Sequence, residues 1–369
     1  MQLGQGSAPR SDEVRQRLQA AIDFAVRHES TWARDPGDGA AAWGIHAVDP
    51  PPWNRLLGPV SPRGPATGLI QVRGDIVAQW GEPGRADQTF SIAKTYLALL
   101  AGVAHDSGLL PDPHAPVVER LPGIGFDDPH NRPITWAHLL QQTSEWEGSS
   151  FGIPDQVDRY RVTTHQPKPA QLHPKGQARP LQAPGTCWEY NDVRINQLSF
   201  ALLHLFGRPL PEVFDDAIMR PLGASRTWRW VGYDHAWVDL NGRRVQSVPG
   251  GTHWGGGVTI NSFDQLRIAN LLLARGRYDN QTIISERWID RMLCPCPIAP
   301  FYGYLTWLNR DRCLYPSAPP DSFFAIGAGS SYTWVDPQRE AAIVLRWLNP
   351  EHANTLFGLI GQALDARSA

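Results

Sequence analysis

The chain has 369 residues, of which 42% are hydrophobic and 19% charged, so it can bury a large core. Its formal net charge of −2 gives no reason to expect a nucleic acid or an anionic membrane as a partner. No apolar run approaches the roughly 18 residues of a membrane span. The first 26 residues show no signal-peptide pattern, so the expected location is the cytoplasm unless a leader has been removed.

The first third of the chain predicts two helices separated by a hairpin. Helical periodicity covers residues 11–28, and two β-rich runs around a turn cover 68–81. An apolar helix is predicted over 90–103, with a serine near its start. Between the first helix and the hairpin, the Pro- and Gly-rich residues 35–66 predict an irregular segment.

The middle of the chain is predicted to be mostly helical. A short helix is expected over 136–144, and two further helices over 192–205 and 211–219. Residues 164–184 hold five prolines and two of the chain's lysines, which predicts a long surface loop or lid. Five glycines follow within residues 250–257.

The C-terminal third returns to strands, predicted over 303–309, 330–336 and 341–349, between helices over 264–274 and 356–364. Strands near both termini with helices between them indicate an α/β (α+β) fold. We expect an antiparallel sheet built from both termini and flanked by helices.

This pattern divides the chain into two predicted regions. Residues 11–105 and 255–369 would form the sheet domain, and 106–254 a mostly helical inserted region. The sequence predicts neither an oligomeric state nor a macromolecular partner.

Lysine usage singles out one side chain. The chain has 34 Lys and Arg residues, but only Lys94, Lys168 and Lys175 are lysines. Two of these lie in the Pro-rich loop, so Lys94 stands alone. Arginine serves as well in most ion pairs but cannot give up its proton near neutral pH. A lone lysine in an Arg-rich chain therefore indicates acid–base chemistry, although a chance surface lysine is the alternative.

Ser91 and Lys94 form an S-x-x-K tetrad. Positions i and i+3 of a helix share a face, with Cβ atoms roughly 5–6 Å apart. A serine in the first turn also has its amide at the positive end of the helix, where a developing oxyanion is stabilised. Burial would disfavour the ammonium form, so Lys94 could accept the proton of Ser91.

Two later segments could complete such a site. Tyr190 precedes a helix, and its hydroxyl could relay a proton; a packed tyrosine with Asp192 as helix cap is the alternative. The small residues Ala325-Ile326-Gly327 and Ala328 precede a predicted strand. The amide of Ala328 could donate to an oxyanion, or the segment could be a simple turn.

Five motifs follow one another along the chain: Ser91-x-x-Lys94, Leu139-Leu140-x-x-Thr143-Ser144, Pro184-Gly185-x-x-Trp188-x-Tyr190-x-Asp192, the glycines of 250–257, and Ala325-Ile326-Gly327. In this order the chain resembles the serine β-lactamase family from about residue 65 to 365. The branch it resembles contains class C β-lactamases, DD-peptidases, esterases and nylon-oligomer hydrolases.

The resemblance implies a metal-free and cofactor-free serine hydrolase with a small-molecule substrate. Ser91 would be the nucleophile, Lys94 the base and Tyr190 the proton relay, with oxyanion donors at the amides of Ser91 and Ala328. Asp192 would contact the substrate at a position where the family usually has Asn. The motif Ala325-Ile326-Gly327 would line the substrate site as well.

One departure narrows the expected substrate. The third family motif usually begins with Lys or His, and this chain has Ala325. The cation that would meet the carboxylate of a β-lactam or peptide is therefore absent, which favours a neutral ester or small amide. A β-lactamase or DD-peptidase, and a catalytically silent binding protein of the same fold, remain the alternatives.

Three other patterns in the sequence are weaker indications of a functional site. Gly148-Ser149-Ser150-Phe151-Gly152 matches the G-x-S-x-G nucleophile elbow but lacks the strand and helix that the elbow needs. His253, in a Gly-rich stretch, is expected to line a cleft rather than act as a base. No His pair has metal-ligand spacing, and Cys294 and Cys296 predict a reduced loop, so no metal site is expected.

Overall fold

A computed structural model of the chain describes residues 8–36, 43 and 49–368, so part of the predicted irregular segment 35–66 lies outside the described residues. The helices are α1 (Ala8–Arg27), α2 (Ile92–Asp106), α3 (Trp136–Leu140), α4 (Asp192–Phe206), α5 (Leu210–Phe214), α6 (Ser262–Leu273), α7 (Glu286–Met292) and α8 (Ala353–Ser368). The strands are β1 (Thr67–Val72), β2 (Asp75–Trp80), β3 (Asp87–Gln88), β4 (Ser149–Ser150), β5 (Ile153–Pro154), β6 (Arg229–Val231), β7 (Trp237–Leu240), β8 (Arg243–Gln246), β9 (Gly257–Ile260), β10 (Arg277–Tyr278), β11 (Gln281–Thr282), β12 (Trp307–Leu308), β13 (Phe323–Gly327), β14 (Ser331–Asp336) and β15 (Ala341–Arg346).

One antiparallel sheet of six strands, in the order β12-β13-β14-β15-β1-β2, organises the fold. The N-terminal hairpin β1–β2 joins the C-terminal strands through pairing of β1 with β15. The predicted antiparallel sheet built from both termini and flanked by helices is therefore confirmed.

Helices cover both faces of this sheet, as the alternation of side chains along β14 shows. The rings of Tyr332 and Trp334 contact Phe357 of α8 on one face. Thr333, between them, accepts a hydrogen bond from Gln265 of α6 on the other. Because successive side chains of a strand point to opposite faces, α8 and α6 lie on opposite sides. Helix α1 packs beside α8, and α2 packs against β13.

The β1–β2 turn and helix α4 show why these elements begin and end where they do. Arg73 and Gly74 form the two-residue turn with φ of 51° and 89°, the conformation that such hairpins require. Asn191 caps α4 by accepting hydrogen bonds from the amides of Val193 and Arg194. Gly207 ends α4 with a φ of 60°.

Two predicted boundaries in the C-terminal third were wrong. The strand expected over 303–309 shrinks to β12, because Leu305 has a φ of 47° and its amide donates to Leu140 O near α3. The segment containing Ala325-Ile326-Gly327 was expected to be a turn or loop before a strand, but it is strand β13. Its five residues, Phe323–Gly327, are all apolar and all buried, and such a run is typical of a fully buried strand.

A smaller sheet, β3-β9-β6, links the segment before α2 to the middle of the chain. The beginnings of α2 and α4 and the end of β13 meet beside it, and this junction holds the candidate site. No helix of the described residues is long and apolar enough to cross a membrane.

Candidate active site

Ser91 lies directly before α2, at a sharp change of backbone direction. Phe90 has a φ of 52°, and the amides of Ile92, Ala93 and Lys94 donate to the carbonyls of residues 89–91. The Ser91 side chain does not cap the helix. Its hydroxyl instead faces Lys94, whose Nζ is 2.8 Å from Ser91 Oγ.

Lys94 is 1% exposed and has three close neighbours. Its ammonium donates to Ser91 and to Asp192 Oδ1, and lies 4.8 Å from the centre of the Tyr190 ring. Burial lowers the pKa of Lys94 below its usual value; Asp192 opposes this shift, and Arg161 adds to it. The lysine is therefore held nearer to the neutral form that a base must reach.

Tyr190 is held in place by the start of α4. Its ring stacks on Trp307 with centroids 5.5 Å apart, and the next amide, that of Asn191, donates to Gln142 Oε1 at 2.7 Å. Burial raises the pKa of Tyr190, with Asp192 adding to the rise and a side-chain hydrogen bond with Ser91 opposing it. Tyr190 is thus a neutral phenol that can donate a proton near neutral pH.

Ala328 stands in the turn between β13 and β14 and is brought to the start of α2 by Gly327. A Cβ on Gly327 would lie 2.1 Å from the carbonyl oxygen of Thr89, so only glycine permits this approach. Ala328 packs on the cluster that contains Phe90 and Trp347. The amides of Ser91 and Ala328 donate no hydrogen bond to any described residue.

The structure thus brings Ser91, Lys94, Tyr190 and Asp192 together, with Ala328 beside the start of α2. The two other predicted residues lie differently. Ala325 and Ile326 are buried in β13, opposite Thr333 and Tyr332 of β14. Gly327 is the member of that motif that reaches the site.

Sequence reasoning missed the partners of Asp192. Arg161 donates to Asp192 Oδ2 at 2.5 Å and to Asp158 Oδ2 at 3.2 Å. Asp158 also accepts a hydrogen bond from the amide of Asp192 at 2.6 Å. Burial would raise the pKa of Asp192, but Lys94 and Arg161 outweigh it and hold that pKa well below its usual range.

The same ion-pair chain extends to the Pro-rich loop. Lys175 pairs with Asp49 and, at 3.0 Å, with Asp158, and its side chain is 14% exposed. His253 Nε2 is 2.9 Å from Asp49 Oδ2. The predicted surface position was therefore wrong for Lys175. His253 is buried, with its Nδ1 3.8 Å from Asp192 Oδ2, and its role in lining a cleft stays a prediction. We call the three cations and three carboxylates so joined the Lys94 charge cluster: Lys94, Arg161, Lys175, Asp192, Asp158 and Asp49.

Gly251 forms the wall of the site next to the lysine. A Cβ at this position would lie 3.0 Å from Lys94 Nζ, 3.4 Å from Asp192 Oδ1 and 3.6 Å from Ser91 Oγ. The Gly-rich stretch before His253 therefore forms this wall, a role that the sequence analysis did not predict for it.

The G-x-S-x-G segment forms no nucleophile elbow. Ser149 and Ser150 make up β4 and pair with β5 in a short hairpin turned by Phe151 and Gly152. A nucleophile elbow needs a strand followed by a helix, whereas β4 is followed by a turn and β5. Ser150 is also buried. Among the described residues, no group of three or more His, Cys, Asp or Glu side chains is arranged to hold a metal ion.

Fold and site together define a β-lactamase-like hydrolase scaffold, and comparison with known proteins identifies the family. The chain belongs to the Beta-lactamase family, whose profile matches residues 31–357. No curated protein sequence matches the chain.

Solved structures share the fold at low sequence identity. A family VIII carboxylesterase aligns with a TM-score of 0.62 and 17% identity over 99% of this chain and 100% of its own. EstCE1, described as a hydrolase with promiscuous acyltransferase activity, aligns with a TM-score of 0.61 and 16% identity over 96% and 98%. A putative 6-aminohexanoate-dimer hydrolase from Bacillus anthracis gives 0.59 and 14% over 82% and 79%.

Proposed function

We propose that the protein is a serine hydrolase that forms an acyl-enzyme on a neutral ester or small amide. The observation that carries this proposal is the buried pair of Lys94 Nζ and Ser91 Oγ, 2.8 Å apart. A nucleophile within hydrogen-bonding distance of a base that is itself held by a third group is the arrangement of covalent hydrolases.

The proposed reaction has two halves. Ser91 Oγ attacks the carbonyl carbon while Lys94 takes its proton, and the amides of Ser91 and Ala328 stabilise the oxyanion. Tyr190 then gives its proton to the leaving oxygen or nitrogen as the bond to the carbonyl carbon breaks, and Lys94 returns a proton to Tyr190. Water attacks the acyl-enzyme through the same groups, which releases the acid and restores Ser91.

The charges of the site support a neutral substrate. Position 325 carries no cation, and Lys94 and Arg161 are both paired with Asp192. A substrate carboxylate buried without a partner would cost several kcal/mol. Two structural neighbours, a family VIII carboxylesterase and a putative 6-aminohexanoate-dimer hydrolase, agree with this substrate class.

The serine assignment is tested by two variants. Ser91→Ala should abolish hydrolysis of p-nitrophenyl esters without changing the melting temperature, because only a hydroxyl is lost. Ser150→Ala, in the G-x-S-x-G hairpin, is the matched control and should keep its turnover. Loss of activity in Ser150→Ala with retention in Ser91→Ala would move the nucleophile.

The substrate assignment is tested with a panel of p-nitrophenyl esters, small amides and nitrocefin. We expect kcat/KM for the best ester to exceed that for nitrocefin by at least about a hundredfold, given the cost of an unpaired carboxylate. Equal values for the two would contradict a neutral-substrate enzyme.

A further inference from the structure

A carboxylate on the proposed base poses a chemical problem. Asp192 Oδ1 accepts directly from the Lys94 ammonium, and both side chains are almost fully buried. A carboxylate so close favours the charged form of a lysine, whereas a base must spend part of the cycle neutral. The asparagine that the resemblance leads one to expect would orient Lys94 without this penalty.

The structure provides a second cation on the same carboxylate. Asp192 divides its two oxygens, Oδ1 facing Lys94 and Oδ2 facing Arg161 at 2.5 Å. The Arg161 guanidinium also lies over the Tyr190 ring, 5.3 Å from its centre, and its side chain is 15% exposed. It therefore contacts the relay and the partner of the base but not Ser91.

We propose that Arg161 is a positioning residue, the counter-ion that lets Asp192 orient Lys94 without holding it in the charged form. The proposal rests on the proposed function, since it requires Lys94 to act as a base. While Lys94 is neutral, the guanidinium of Arg161 balances the negative charge of Asp192. The Asp192–Arg161 pair then has no net charge, as the side-chain amide of an asparagine would have none.

The electrostatics of the site agree with this geometry. Burial is the main cause of the lowered pKa of Lys94; Asp192 raises that pKa, and Arg161 lowers it again. Arg161 itself stays charged, because Asp192 and Asp158 outweigh the cost of its burial and raise its pKa.

Other charged and titratable groups surround the pair and must be counted. From the other elements, these are Asp158, Lys175, Asp49, His253 and Tyr190. His253 Nδ1 is 3.8 Å from Asp192 Oδ2, and the lowered pKa of His253, caused first by burial, keeps it neutral near pH 7. The Lys94 charge cluster thus balances when Lys94 is protonated and carries one net negative charge when it is not.

A double-mutant cycle read as pH profiles tests the proposal. The ester kcat/KM of the full chain is measured from pH 5 to 10 for wild type, Arg161→Met, Asp192→Asn and the double variant. Arg161→Met should move the acid limb upward by about one to three pH units, the effect of one charge at this range. Asp192→Asn should move it downward.

The double variant distinguishes a charge effect from a structural one. Removing both charges should return the acid limb close to its wild-type position and recover most of the activity that Arg161→Met loses. Arg161→Lys, which keeps the charge, should leave the limb in place. If Arg161→Met does not fold, the opposite shift of Asp192→Asn and its reversal in the double variant carry the same information.

Arg179→Met is the matched control. Arg179 is also a largely buried arginine of this region, with its side chain 9% exposed, but it pairs with Glu145 and Glu189 rather than with Asp192. Its loss should lower thermal stability without moving the limb.

An unchanged acid limb in Arg161→Met, or a double variant no better than Arg161→Met, would overturn the proposal. Failure of the proposed function is distinguishable, because it would appear as full turnover in Ser91→Ala whatever the Arg161 variants do.

Discussion

The pKa of Lys94 depends on its burial and on the charged groups around it. Its ammonium faces Ser91 Oγ, the Tyr190 ring and one oxygen of Asp192, and the other oxygen of Asp192 belongs to Arg161. Burial is the main cause of the lowered pKa of Lys94, Arg161 adds to it, and the opposing effect of Asp192 does not cancel it. In the proposed mechanism, the ability of Lys94 to lose a proton therefore matters more than its positive charge.

Lys94→Arg tests that point. Arginine keeps the charge, but with a pKa above about 12 it cannot become a base. We expect kcat to fall by roughly 10²- to 10⁴-fold, the usual cost of losing a general base. Lys168→Arg, at an exposed loop position, is the control and should be silent. A kcat for Lys94→Arg within about twofold of wild type would remove the base assignment.

Lys175, the other lysine of the Pro-rich loop, is unsuitable as that control. It is buried in ion pairs with Asp49 and Asp158, so an arginine there would have to repack.

Gly251→Ala tests the wall of the site. The added methyl group would press on Lys94 Nζ at 3.0 Å, in a place where three polar atoms converge. We expect kcat/KM to fall by at least about tenfold, because displacing a catalytic group by a fraction of an ångström is costly. Gly84→Ala, with nothing within 4 Å of the new methyl group, is the control. Equal kinetics in both variants would place the substrate and base elsewhere.

The residues of the site differ in how readable they are from sequence. Ser91, Lys94 and Tyr190 stand in motifs whose spacing predicts the roles proposed for them. Arg161 is 31 residues from Asp192, and Asp49 is 204 from His253, with no motif to join them. The one sequence signal for Arg161 was Asp192, because a buried carboxylate is expected to have cationic partners.

Among the elements, the Pro-rich loop of residues 164–184 is anchored rather than loose. His165 Nδ1 lies 2.8 Å from Tyr315 Oη, and the His165 ring packs edge-on against Tyr332. Lys175 joins the Lys94 charge cluster, and Arg179 pairs with Glu145 and Glu189. Residues 167–172 between these anchors are exposed.

The His165 anchor predicts a pH-dependent stability. Burial lowers the pKa of His165 to about 4, whereas an unfolded histidine titrates near 6.5. The folded form therefore keeps His165 neutral, and stability is full above about pH 6.5 and is lost as pH falls toward 4, by up to about 3 kcal/mol. His165→Gln should flatten this dependence.

The measurement is the free energy of unfolding in denaturant at pH 7 and pH 4.5 for wild type and His165→Gln. Three other histidines, the buried His253 and the partly buried His138 and His204, also have lowered pKa values, so the difference between the two proteins isolates His165. The same loss of stability in both proteins would show that His165 does not anchor the loop through its neutral form.

Elements with a clear period or cap were predicted well, and those defined by distant pairing were not. Helix α4 has an asparagine cap and a closing glycine, β14 is rich in aromatic and β-branched residues, and β15 is rich in aliphatic ones. β12 keeps two residues because the backbone around Leu305 bonds to segments near α3 and α7. Such long-range hydrogen bonds leave no local pattern to read.

The whole molecule is organised by one sheet whose strands come from both ends of the chain, and the candidate site lies where α2, α4 and β13 meet. Strands near both termini made the fold class predictable, because consecutive β-rich runs must find partners. The three-stranded sheet β3-β9-β6 was not predicted, since its strands have two to four residues and pair across the chain. This small sheet helps to fix the segment that carries Ser91.

The central claim, that Ser91 is the nucleophile, is tested most directly by reacting the protein with a fluorophosphonate ester and mapping the adduct by peptide mass spectrometry. We predict one phosphonate per chain, on Ser91, with loss of esterase activity in step with labelling, and no adduct in Ser91→Ala. Labelling of Ser150, or full activity after Ser91 is labelled, would contradict the account.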